Sequence, residues 1–267
     1  MKALRLFIGF YKMGIRVNME YKTAFWLGTI AQVFSYGMDF LLLWVLVSHF
    51  QNLAGWSSSE IIFMYSLKLM TYGIAGTFFF NSCTSLPRRI QAGSFDASLI
   101  QPIKPLVYEV VSSCNIGYVR HIGLSLCIMI ISLHQLQVKM TFVKICMLIL
   151  FIIGGSLIQS GLFLVFATPS FWLVRGEQIM ELFFFEISDF INYPINIYPV
   201  IIQALLSFGL PYAFINFYPA QYIFGRDDVI TFNNYLQFLA LPVGIMVFAF
   251  GVCFWHWGLK RYQSTGS

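Results

Sequence analysis

The chain has 267 residues, a formal net charge of +5, 58% apolar residues and only 10% charged ones. A water-soluble domain carries about 25% charged residues, so a single soluble core is excluded, and no nucleic-acid partner is expected. Divided by the roughly 20 apolar residues that cross about 30 Å of hydrocarbon, the length gives about six spans: an all-α polytopic membrane protein forming one transmembrane domain over residues 1–267.

At the N-terminus Lys2, Arg5, Lys12 and Arg16 interleave with Leu4, Leu6, Phe7, Phe10 and Ile15. That pattern predicts a helix over residues 1–22 lying in the membrane interface, and it lacks the compact apolar run and small-residue site of a cleaved signal peptide. Spans are predicted at residues 24–47, 61–80, 107–133, 142–167, 193–210 and 236–257. The fifth is interrupted by Pro194 and Pro199. The stretch before it, "GEQIMELFFFEISDFIN", reads either as an interfacial helix or as the start of a longer, kinked span. After it, residues 211–235 mix aromatics with Pro211, Pro219, Asp227 and Asp228, which predicts a re-entrant segment with Tyr212, Tyr218 and Tyr222 at headgroup level.

Orientation follows from loop charges. With the N-terminus inside, the inner segments hold Lys2, Arg5, Lys12, Arg16, Lys22, Arg88, Arg89, Lys104, Arg175, Lys260 and Arg261, against Lys139, Lys144 and Arg226 outside. The excess places both termini in the cytoplasm.

Ionisable residues inside spans are costly and mark function or structural pairing. Asp39, Lys68, Arg120 and His121 qualify. Asp39 and Lys68 fall at similar depth on consecutive spans, which predicts an ion pair that either holds the helices together or lines a polar cavity; Arg120 and His121 compete for the same carboxylate. Gly73 with Gly76, and Ser156 with Ser160, have helix-packing spacing. No phosphate-binding loop, H-E-x-x-H zinc motif or G-x-S-x-G elbow occurs, and the scattered histidines and five cysteines suggest no metal site or disulfide framework.

The polar inner segment "LPRRIQAGSFDASLIQPIKP" stands apart, within a cytoplasmic loop of residues 84–106. Ser85 and Pro87 suit the start of one short helix and Gly93 its end; Ser94 suits the cap of a second that carries Asp96 and stops at Pro102.

Together with "RRIQAGSFDASLIQP", "YPINIYPVIIQALLSFGLPYAFINFYPAQYIFG" and the ending "GLKRYQSTGS", this layout resembles the permease subunits of bacterial type-2 ATP-binding-cassette exporters. The resemblance implies a chain in the bacterial cytoplasmic membrane, among membrane lipids, with no cofactor of its own. ATP and Mg would sit on two separate ATPase subunits. A second permease subunit, identical or different, would complete the substrate path. Arg88, Arg89, Gly93, Asp96, Leu99 and Pro102 would then couple to the ATPase, and Pro211, Asn216, Tyr218 and Pro219 would belong to the outer re-entrant segment. The scarcity of charge in the spans leans towards an amphipathic or lipid-like cargo, such as a drug, peptide or lipid. The competing classes are a self-sufficient secondary transporter or channel, and an intramembrane enzyme using His121.

Overall fold

The computed structural model describes residues 22–49, 52–173, 176–226 and 232–263. The expected interfacial helix, apart from Lys22, and the Asp227 and Asp228 pair lie outside them. The described residues are helical, the one β pairing among them being an isolated bridge between Leu53 and Trp56.

Helices α1 (Lys22–His49) and α2 (Ser58–Thr84) cover the first two expected spans. Two short helices, α3 (Leu86–Gln91) and α4 (Asp96–Leu99), follow, and then α5 (Pro105–Ser112). The expected third span is broken rather than continuous: α5 ends at Ser112, and α6 (Val119–Gln135) starts only after a 3-10 turn at Ile116–Tyr118. Asn115 explains the break. Its N–H donates to Thr77 O of α2 at 2.9 Å, and its side-chain oxygen accepts the Gly117 N–H at 2.8 Å. Local side-chain bonding of this kind competes with a helical ladder.

Helix α7 (Phe142–Ala167) packs along α12 (Ala240–Leu259) through glycines. A Cβ on Gly154, Gly161, Gly244 or Gly251 would lie under 3.0 Å from a backbone oxygen of the facing helix, so the two backbones touch as small-residue interfaces allow. The expected pairs act differently. Gly73 and Gly76 admit α6, where added Cβ atoms would meet Ile122 and the Tyr118 ring. Ser156 and Ser160 instead bond back to Ile152 O and Ser156 O within α7.

Residues 176–192 form one irregular rod: α8 (Gly176–Met180), a π turn at Glu181–Glu186, α9 (Ile187–Asp189) and a 3-10 turn at Phe190–Asn192. It runs antiparallel to α2, with Glu177 at Arg88, Phe185 near Phe80, Asp189 at Lys68 and, just beyond it, Asn196 at Trp56. The stretch is therefore a separate rod along α2, the fifth, earlier in the chain than residues 193–210. After Pro199, α10 (Val200–Ala204) and a π turn at Leu205–Gly209 lead to a 105° bend and then α11 (Ala213–Phe224). At the bend Tyr212 OH donates to Phe183 O at 2.8 Å, and just past α11 Arg226 reaches Glu60. This is a hairpin that dips to mid-height and returns, beginning near residue 200 instead of 211.

Among the described residues, three runs are long and apolar enough to cross a bilayer: Ser58–Gln91, Phe142–Phe171 and Ala240–Leu259. A fourth qualifies if the bent pair counts as one broken span. The difference from six comes from α1, which is not among these runs and many of whose side chains lie outside the described residues, from the broken third rod, and from the short irregular pieces of the fifth.

Candidate functional site

The polar segment after α2 is built largely as expected, with two corrections. Pro87 occupies the first turn of α3, where its missing N–H costs nothing, and Gly93 takes φ +68°, the left-handed conformation glycine tolerates. Ser85, however, does not cap: its hydroxyl donates back to Asn81 O at 2.5 Å. Nor does Ser94, whose hydroxyl donates to Arg89 O at 3.3 Å. Phe95 stands at the cap position of α4 instead. Its ring is fully buried, edge-on to Tyr262 and tilted against Phe171, so its burial starts α4 one residue later.

The charges of this segment are tied inward. The Arg89 guanidinium grips Glu109 with two N–H donors and gives Ser98 Oγ another at 2.7 Å; Glu109 is fully buried. Arg88 Nε reaches Glu177 at 2.6 Å on the surface, and Tyr262 OH donates to Asp96 at 2.8 Å. Burial and the Asp96 carboxylate push the Tyr262 hydroxyl up to about 12. Two small helices thus bind α5, the start of the fifth rod and the chain beyond α12. Facing outward are Arg88, Pro102, Leu99 at 38% exposure and Ile100 at 82%.

Halfway up α2, Lys68 donates to Asp189 Oδ1 at 2.9 Å and Asn192 Oδ1 at 2.8 Å. The Asp39 side chain lies outside the described residues, and the expected pairing with it therefore does too. Around Lys68 opens a cavity of about 430 Å³ whose wall includes Tyr36, Tyr65, Tyr72, Phe184, Tyr193 and Tyr212. His121 stands behind it: it stacks on Tyr118 at 5.0 Å, meets the edges of Tyr36 and Tyr72, and has no hydrogen-bond partner for either ring nitrogen among the described residues. Arg120 points elsewhere, towards Gly28 of α1.

In the hairpin the tyrosines depart from expectation. Tyr212 and Tyr218 are buried within the protein, Tyr218 OH pairing with Ser207 Oγ at 2.8 Å; their hydroxyls find partners inside, so headgroup placement is corrected for both. Asn216 amide N–H groups donate to Ile191 O at 2.6 Å and Met64 O at 3.4 Å, tying α11 to the fifth rod and α2. Pro211 lies in the bend and Pro219 inside α11.

Above it sits a clasp that the sequence reading did not single out. Arg226 makes a two-pronged contact with Glu60, at 2.9 and 2.8 Å, and lies over the Trp56 ring. Glu60 also accepts from Ser57 N–H and Oγ, while Trp56 Nε1 donates to Asn196. The signal was present: Ser57 and Glu60 form an S-x-x-E capping box before an apolar run. Glu109 was equally visible, as an acidic residue inside residues 107–133.

The described residues form a helical bundle with three runs apolar enough to cross a bilayer, the make-up of a membrane protein. The family model of the ABC-2 family transporter proteins matches residues 33–266, and the chain belongs to that family. No curated protein and no solved structure matches it.

Proposed function

We propose that this chain is the permease subunit of an ATP-driven exporter, with ATP hydrolysis on two separate ATPase subunits that dock on residues 84–106. A second permease copy or homologue completes the substrate path, and an amphipathic cargo crosses. Six membrane passages with both termini in the cytoplasm accommodate the rods, taking α1, α2, α5 with α6, α7, residues 176–192 and α12 in turn, with the hairpin of α10 and α11 re-entering from outside.

The observation that carries this reading is the wiring of α3 and α4. Through Arg89 with Glu109, Arg88 with Glu177, and Asp96 with Tyr262, a displacement applied there reaches three rods at once. Leu99 and Ile100, left exposed beside this hub, offer apolar surface that a docked partner would cover. The exposed carboxylates of Glu181 and Glu186 support the second subunit. A π turn closes at i+5, which brings these two much closer to one face than an α-helix would. Charges at that depth avoid lipid and face a water-filled path or a partner.

Affinity purification with all co-encoded proteins tests the proposal. An ATPase should co-purify, and Ile100→Asp should reduce its recovery at least tenfold while the permease keeps its elution profile. Full transport by the chain alone would overturn the reading.

A further inference from the structure

We propose that the cavity at Lys68 binds the headgroup of a zwitterionic amphiphile, one carrying a phosphate or carboxylate beside an ammonium; this rests on the membrane placement proposed above. The cavity's about 430 Å³ lies in the range of small-ligand pockets, and beside rings and aliphatic side chains its wall sets the polar Gln159, Ser188, Asp189 and Asn192 around Lys68. There Lys68 and Asp189 stand 2.9 Å apart, with Asn192 accepting from the same ammonium. Lys68 has only 16% of its side chain exposed, whereas Asp189 has 68%.

The charge arithmetic selects the ligand. An anion drawn to Lys68 meets the Asp189 carboxylate next to it, and a cation drawn to Asp189 meets the lysine. Each meets a like charge beside its partner, which is costly at the membrane depth proposed above. A headgroup carrying both signs presents its anion to Lys68 and its cation to Asp189, so each half meets an opposite charge. The rings suit the cationic half: Tyr65, Tyr72, Phe184 and Tyr193 line the same cavity, and aromatic walls are the recurring recognition device for alkylammonium groups. A chain from the ligand has an exit along α1, which contributes Tyr36 and Leu42 to the wall and exposes Phe34, Met38, Leu41 and Val45 along its length.

The test uses the full chain with its co-purified subunits in nanodiscs. Four probes of matched chain length are titrated: an alkylphosphocholine, an alkyl phosphate, an alkyltrimethylammonium and an alkyl maltoside. Phosphocholine without a chain is the fifth. The alkylphosphocholine should bind at least tenfold more tightly than the other four. Lys68→Met and Asp189→Asn should each remove that preference, with unchanged elution and thermal midpoint showing that the fold survives; Lys68→Arg should retain it. Equal binding of the alkyl probes, or a preference surviving both variants, would overturn the proposal. Chainless phosphocholine binding as tightly as the alkyl form would overturn the amphiphile assignment. ATPase recovery from the same preparation separates this inference from the exporter reading, since an ATPase that co-purifies while no probe is preferred sinks only the pocket.

Discussion

Two arginines adjacent in sequence have opposite energetic roles. Arg88 meets Glu177 at the surface, with 79% of its side chain exposed, whereas Arg89 neutralises a carboxylate that is fully buried. An exposed pair contributes about 0–1 kcal/mol; removing one partner of a buried pair costs about 3–5 kcal/mol because the other charge is left stranded. Arg88→Ala should therefore leave the thermal midpoint in detergent nearly unchanged, and Arg89→Ala should lower it by many degrees. Arg89→Met combined with Glu109→Met should recover most of that loss. If Arg89→Ala proves as mild as Arg88→Ala, the buried pairing is not what holds the segment. A charge reversal at both positions would thus disturb the hub itself as well as any partner, and Ile100→Asp is the cleaner probe of docking.

At the scale of elements, the glycine ladder between α7 and α12 is the feature most sensitive to a single methyl group. Gly154 and Gly161, and Gly244, Gly251 and Gly258, recur every seven residues, and at four of them the facing atom is a backbone oxygen. Backbone cannot move aside as a flexible side chain can, so Gly161→Ala or Gly251→Ala should destabilise by about 1–3 kcal/mol. Gly123→Ala in α6 is the control: its added Cβ meets nothing within 4 Å, and helix propensity favours the change by up to about 1 kcal/mol. Thermal unfolding of the purified chain should separate the two cases in sign. The seven-residue repeat was legible in the sequence as spacing. Which small-residue pairs faced a partner helix was not, because Ser156 and Ser160, four residues apart and so also on one helix face, satisfy their hydroxyls within their own helix.

At the scale of the molecule, one end gathers Trp56, Glu60, Asn196 and Arg226, and the other gathers α3, α4, Glu177 and Tyr262. A cysteine at Asn233 should react with an impermeant thiol reagent from outside intact cells and one at Ser94 should not, once exposed native cysteines such as Cys127, Cys146 and Cys253 are replaced. Opposite labelling would invert the topology. Glu60→Gln should loosen the Glu60–Arg226 clasp specifically, because it weakens the grip on Arg226 and on the start of α2 together; accelerated hydrogen exchange confined to residues 52–60 and 220–226 is the expected signature.

Composition and residue order alone determined that this chain is helical and apolar enough for a bilayer, that a polar pair of short helices interrupts it after α2, and that Gly93 ends the first of them. These rest on local physics: hydrophobic transfer, the ring of Pro87 and the missing Cβ of glycine act regardless of what lies across the fold. Tertiary structure decided the rest. Lys68 found Asp189 from a rod that acids interrupt and prolines follow, Asp96 found Tyr262 at the far end of the chain, and Glu109 found Arg89 across twenty residues. A charge in a low-dielectric interior needs a partner within hydrogen-bond reach, but its sequence position does not name that partner, since several candidates lie at similar depth and only the packing of the rods brings one of them within about 3 Å.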